Sequence, residues 1–234
     1  MENTILSIKN LTLEVDHETL LKNVSFDIHA GETTIFLGPN GAGKTTLFRA
    51  LLGIHPYRGT IEWKKGVRIG YVPQRFEFDK YVPVSGEELL ALKQHNVLTF
   101  KKQDYTTLCE LVHLNPKKLK TPIGLLSAGE RQRLLILWAI QDYPEVLLFD
   151  EPTSGVDIGA EESIYELLHE LVHTQHLTLL MISHDLNVVY RYADKVICMN
   201  QELICHGEPQ TALNTETLQK LYGERQVFYH PHNK

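Results

Sequence analysis

No run of apolar residues in this chain exceeds seven, at positions 134–140, far short of the ~18 needed to cross a bilayer. Cysteine is scarce. Cys109, Cys198 and Cys205 make an odd number without C-x-x-C spacing, which excludes a disulfide-rich secreted framework and points to a reducing cytosol. A basic excess is also missing: 23 lysines and arginines against 29 acids give a net charge of -6 and a pI near 6.0, without the footprint of a nucleic-acid binder. The opening MENTILSIKN has an acidic second residue and no apolar core, so it does not read as a signal peptide. Repeats and flexible linkers are absent too. What is there, 43 % hydrophobic and 22 % charged residues over 234 positions, sits at globular averages and suits one α/β domain with an insertion.

The first thirty residues alternate as strands do, at Ile5 to Ile8, at Leu11 to Val15 and at Val24 to Ile28, around a polar Asp16-His17-Glu18 turn. Thr33-Thr34-Ile35-Phe36-Leu37 is instead an unbroken β-rich run, the pattern of a strand covered on both faces. A glycine-rich turn and a helix over 44–52 follow, and further strands occupy 59–72. From 85 to 141 the period becomes helical, punctuated by Pro116, Pro122 and Gly124. The remainder returns to βαβ form, with strands at 146–149 and 178–182, a helix at 161–173, and a closing hairpin about Asn200-Gln201. His230 and His232 lie in a tail expected to fray.

Gly38-Pro39-Asn40-Gly41-Ala42-Gly43-Lys44-Thr45 satisfies G-x-x-x-x-G-K-[ST] at every fixed position, between a buried strand and a helix. A chance match in a chain this long is on the order of 1 %. Successive N–H groups of such a loop and the helix N-terminus cradle phosphates. Lys44 is placed to reach the β- and γ-phosphates, Thr45 to bind Mg²⁺, and Thr46 to contact further phosphate oxygens. A phosphate loop also needs a carboxylate at the end of a buried strand. Val146-Leu147-Leu148-Phe149-Asp150-Glu151 supplies Asp150 for the metal and Glu151 as general base or water-positioner. The plainer alternatives are an empty glycine-rich turn and a strand end with solvated acids. The two motifs together favour a nucleoside-triphosphate site.

Leu126-Ser127-Ala128-Gly129-Glu130-Arg131-Gln132-Arg133, shortly before the acidic strand, resembles the signature sequence of ATP-binding-cassette (ABC) ATPases. Gln74 after Tyr71-Val72-Pro73 is similar to that family's Q-loop glutamine, Ser154-Gly155-Val156-Asp157 to its D-loop, and His184 after Met181-Ile182-Ser183 to its switch histidine. The resemblance covers essentially the whole chain. It implies a P-loop NTPase fold of the ABC-ATPase type: a mixed β-sheet core with an antiparallel N-terminal β-subdomain and an inserted α-helical subdomain. Residues 1–84 and 142–234 would form the core and 85–141 the helical part of one domain. It also implies a homodimer in which ATP lies between one phosphate loop and the opposite signature. Ser127, Ala128, Gly129 and Glu130 would then act in trans, His184 on the γ-phosphate, and Gln74 on the metal beside Thr45 and Asp150. Two departures stand out. Val15, with His17 nearby, occupies the place of the aromatic that stacks on adenine, and SAGE replaces SGGQ; Ala128 narrows backbone freedom and Glu130 adds charge, changes expected to be tolerated because Ser127 and Gly129 remain.

A single cassette resembles the separate ATPase subunit of an importer. Tyr71-Val72-Pro73-Gln74-Arg75, Ser183-His184-Asp185-Leu186-Asn187-Val188-Val189 and Gly207-Glu208-Pro209 look most like the zinc/manganese branch. The resemblance implies ATP and Mg²⁺ as cofactors and integral-membrane permease subunits as partners. It implies, indirectly, an extracytoplasmic metal-binding protein, and a location on the cytoplasmic face of the membrane. Haem or siderophore importers are the near alternative, and a soluble ABC ATPase acting on ribosomes or DNA the distant one. A GTPase would need an N-K-x-D motif, which the chain lacks. Cys198, Cys205 and His206 could converge on the hairpin, but recurrent four-ligand zinc spacing is missing, and the thiols read as small buried apolar groups.

Overall fold

The computed structural model describes residues 3–74, 83–93, 105–151 and 158–223. In chain order the first elements are β1 (Thr4–Val15), β2 (Glu18–His29), β3 (Thr33–Leu37), α1 (Lys44–Leu51), β4 (Arg58–Trp63) and β5 (Ile69–Val72). Then come α2 (Gly86–Ala91), α3 (Thr106–Leu111), the 3₁₀ turns Pro116–Lys120 and Ile123–Leu125, and α4 (Ala128–Ile140). The last stretch holds β6 (Val146–Asp150), α5 (Ile158–Gln175), β7 (Thr178–Ile182), α6 (Leu186–Tyr192), β8 (Lys195–Met199), β9 (Leu203–Gly207), α7 (Pro209–Ala212) and α8 (Thr215–Tyr222). The chain divides into two compact units, one from segments 1–29, 33–64 and 182–234, the other from 30–32 and 65–181.

In the first unit β1 is flanked antiparallel by β2 and β4, giving the order β2-β1-β4. The alternation seen in the sequence buries Leu6, Ile8, Leu11, Leu13, Val24, Phe26 and Ile28 on one side. Asp16 and His17 form a two-residue turn with φ of 49° and 69°, the twist that a tight hairpin requires. β3 is buried at every residue and pairs parallel with β8, which pairs antiparallel with β9. The sheet here is mixed. Phe36 packs edge-on against both Phe26 and Phe48, with centroids at 5.8 and 5.5 Å, so β3 joins the hairpin layer to α1. Such pairs add about 0.5–1.5 kcal/mol beyond their area.

The second unit orders its strands β5-β6-β7, with β5 and β6 parallel and Val72 level with Phe149. α4 lies on β5 so closely that a Cβ on Gly70 would sit 2.7 Å from the Ala139 carbonyl oxygen. The apolar run 134–140 is indeed a buried helix: Leu134, Leu135, Ile136, Leu137, Ala139 and Ile140 all lie within the core. Arg133 ties α4 to its neighbours, donating to the Val112 carbonyl at 2.9 Å and to Ser163 Oγ at 3.1 Å. Among the described residues no helix is long and apolar enough to cross a membrane.

Candidate active site

β3 ends at Leu37 and α1 begins at Lys44, so residues 38–43 make the connection. Gly41 and Gly43 are left-handed, at φ 83° and 86°, a conformation open to glycine without steric cost. Packing fixes the loop from two sides. A Cβ on Gly38 would overlap the Met199 carbonyl oxygen, and one on Gly43 would lie 3.0 Å from Leu21 Cγ. Pro39 is half-buried, Asn40 and Gly41 form the exposed crest, and Ala42 is buried, its N–H donating to the Pro39 carbonyl at 3.2 Å. Lys44 is 6 % exposed; its Nζ donates to the Gly38 and Pro39 carbonyls, each at 2.8 Å, which holds the ammonium inside the curve of the loop.

α1 has no side-chain cap and no acid in its first turn, so its own first turn leaves the positive end of the dipole to a ligand. Half-buried Thr45 and Thr46 stand in that turn. Uncapped N–H groups, a cationic loop and two hydroxyls fit a phosphate chain. In the same unit His184 is exposed on the connection after β7. That connection is anchored: Ser183 N–H donates to the Phe36 carbonyl at 3.3 Å, and Asp185 N–H donates to Ser183 Oγ at 3.1 Å. Asp185 caps α6 through the Asn187 N–H at 2.8 Å.

In the second unit Asp150 closes the wholly buried β6 and is itself 1 % exposed. A carboxylate that far from water carries charge only where a cation or hydrogen bonds compensate it, which suits a metal ligand. Glu151, half-buried, is left-handed at φ 43°, which costs a non-glycine residue about 1–2 kcal/mol. Its Oε2 accepts a hydrogen bond from Gln74 Nε2. The parallel pairing of β5 with β6 makes this contact, since it brings both strands to the same edge; 77 positions of sequence separate the two residues.

Ser127 is the N-cap of α4 and forms a capping box: its Oγ accepts from the Glu130 N–H at 3.2 Å, and Glu130 Oε2 accepts from the Ser127 N–H at 3.0 Å. Lys118 Nζ lies 2.9 Å from the other Glu130 oxygen. Lys118 first, and then Ser127, hold the Glu130 carboxyl below the usual carboxylate range. Ala128 is the first residue of an ordinary right-handed helix, where alanine is the best helix former and narrows nothing of consequence. The charge of Glu130 has a counterion. Lys118 escaped the sequence reading because a 3₁₀ turn, rather than a helical spacing, brings it there.

Val15, at the end of β1, is half-buried and His17 is exposed. The Ser154-Gly155-Val156-Asp157 motif, Arg75, His230 and His232 lie outside the described residues. Cys198 and Cys205 are register partners joined by a disulfide, rather than the separate buried thiols the sequence suggested; Cys109 is buried and unbridged. The disulfide removes the Cys198, Cys205 and His206 combination as a zinc site. No group of three or more His, Cys, Asp or Glu placed to hold a metal occurs among the described residues.

The family model for ABC transporters matches residues 21–154, from β2 through the phosphate loop and signature to just past Glu151. The zinc import ATP-binding protein ZnuC of Hydrogenovibrio crunogenus is 38 % identical over 239 residues, covering 98 % of this chain and 93 % of that protein. A "Probable metal transport system ATP-binding protein" of Thermotoga maritima is 37 % identical over 229 residues, with 96 % and 92 % covered. Among solved structures, an ABC transporter ascribed to the metal-chelate type, in an inward-facing conformation, superposes with a TM-score of 0.83. It is 31 % identical, covering 94 % of this chain and 89 % of that one.

Proposed function

Because this chain belongs to the ABC transporter ATP-binding family, we propose that it is the ATP-hydrolysing subunit of an importer that takes up a divalent metal cation, zinc or manganese, through a separate permease. The observation that carries the ATPase reading is the phosphate loop: two left-handed glycines opening into an uncapped helix, with a buried lysine held within the curve. The cargo reading rests on the names of relatives at 37–38 % identity, for zinc and for metal transport.

Residues 38–46 cradle the phosphates in this proposal, with Lys44 neutralising β- and γ-oxygens. Thr45, Gln74 and Asp150 would hold Mg²⁺, which when bound offsets charge building on the phosphate oxygens. Glu151 accepts a proton from the attacking water, Gln74 keeps its carboxylate oriented, and His184 donates to the γ-phosphate. Ser127, Ala128, Gly129 and Glu130 of a second copy complete the site, so that nucleotide and dimer form together. The segment 85–141 is the proposed helical subdomain that meets the permease; exposed Leu92 and Leu125, at 77 % and 72 %, support a docking role there. On this reading the chain is peripheral on the cytoplasmic face, supplied indirectly by an extracytoplasmic metal-binding protein, and binds no nucleic acid.

Glu151→Gln tests it: nucleotide binding persists, turnover falls at least about 100-fold, and ATP yields a stable dimer on size exclusion. Full turnover in that variant removes the assignment. One observation favours a second reading, haem or siderophore uptake: the similarity to a transporter of metal-chelate type. Uptake of free ⁶⁵Zn or ⁵⁴Mn against chelated iron, in a strain lacking this chain and complemented with it, separates the two.

A further inference from the structure

The ATPase reading uses none of the polar face of α5. Glu162, Glu166, His169 and His173 recur at steps of four, three and four residues, the spacing that returns to one helical face, and all four are exposed. Within that stripe His169-Glu170-Leu171-Val172-His173 reads H-E-x-x-H, the spacing that sets two imidazoles side by side for zinc. The fold realises the pairing. The two rings meet edge to face, with centroids 4.3 Å apart and planes at 83°.

Two nitrogens bound to one tetrahedral zinc at 2.0–2.1 Å lie about 3.3 Å apart. Rings this close reach that separation by side-chain rotation alone, with α5 unchanged. Glu170, which would be the general base of a hydrolase with this motif, faces elsewhere: its Oε2 lies 3.3 Å from His113 Nε2. The pair also stands on an open helix surface rather than in a cleft, so the arrangement is one for binding, without catalysis.

We propose that His169 and His173 form a two-imidazole site for a late first-row divalent cation, zinc foremost, on the exposed face of α5. Imidazole favours zinc, copper and nickel over magnesium or calcium, which distinguishes this site from the oxygen-lined one assigned to Mg²⁺. Glu166, one turn before His169, adds negative potential, and water completes the coordination. Two protein ligands rather than four make the site weaker than a structural zinc centre. It therefore fills reversibly, as free metal rises. The site stands on α5 alone and does not depend on the cargo assigned above, because binding is read on the isolated chain.

The test is isothermal titration of zinc chloride, in a non-coordinating buffer, into the full chain carrying His230→Ala and His232→Ala. One zinc per chain is expected, and adding His169→Ala and His173→Ala should weaken that event at least tenfold. Equal affinity and stoichiometry in the two proteins would overturn the proposal. A reading free of α5 variants comes from ¹H–¹⁵N imidazole spectra of the unmodified chain. The His169 and His173 signals should shift together at lower zinc than those of His17, His55 and His206; movement of those three first would refute the site.

Discussion

Replacing Ser127 with alanine removes the acceptor for the Glu130 N–H and breaks the reciprocal pair that starts α4. Ser127 is exposed, so almost no apolar burial is lost and the effect is that of the cap, about 1 kcal/mol within a range of 0.5–2. For a chain of this size each kcal/mol moves the melting temperature by about 2–4 °C. Glu130→Gln separates the charge from the hydrogen bond: its amide oxygen still accepts from Ser127 N–H, but the attraction to Lys118 is gone. That ion pair is partly exposed, 28 % and 43 % at the two side chains, and contributes about 0.2–1 kcal/mol. Because Lys118 and Ser127 lower the folded-state pKa of Glu130, its contribution is complete above the ordinary value of about 4.3 and is lost as pH falls through the lower folded value. Thermal unfolding followed by circular dichroism should therefore show Ser127→Ala melting about 2–4 °C low and Ser127→Thr close to the parent. The Glu130→Gln deficit should be present near neutrality and shrink as pH falls below about 4. An unchanged melting temperature for Ser127→Ala, or a Glu130→Gln deficit constant with pH, would refute the capping account.

Gly70→Ala drives a Cβ toward the Ala139 carbonyl and forces α4 off β5, so melting should fall by about 2–12 °C; a neutral result would mean that this joint gives way freely. Burial pushes the Tyr222 phenol up to about 12, so absorbance at 295 nm should show it ionising after most of the ten tyrosines. With its folded pKa raised, stability from this group is intact below about pH 10 and drains away as pH climbs from there toward 12. A native titration complete near pH 10 counts against it. Alkylation of the unfolded chain should add one carbamidomethyl group before reduction, at Cys109, and three after it; three adducts without reductant would mean that Cys198 and Cys205 are thiols.

Period and loop chemistry made the elements around the phosphate loop readable. Thr33–Leu37 is unbroken in sequence and buried at every residue, and the helix after Lys44 ends within one position of its expected limit. Short elements escaped. α6 and α8 are too brief for periodicity to register, although Asp185 and Asn214 carry recognisable N-cap chemistry. Cross-chain contacts were hidden for another reason. Gln74 meets Glu151 only because β5 and β6 run parallel, and nothing in a linear sequence states which strands are neighbours. The disulfide is intermediate: the hairpin about Asn200-Gln201 was expected, and its register alone sets Cys198 opposite Cys205.

α5 separates what hydrophobic pattern can tell from what it cannot. Ile164, Leu167, Leu168, Leu171 and Val172 recur with the helical period and all are buried, so the pattern located both the helix and the face that the unit uses for stability. The same pattern treats the opposite face as solvated and stops there. Yet the period that aligns leucines on one side aligns Glu166, His169 and His173 on the other, because both follow from 3.6 residues per turn. A polar stripe of mixed lysine and glutamate needs no account beyond solubility; one in which two imidazole rings lie 4.3 Å apart offers two nitrogen donors to a shared cation. Chemistry on an exposed face is thus legible from sequence only when the residue types of that face are read with the helical period already in hand.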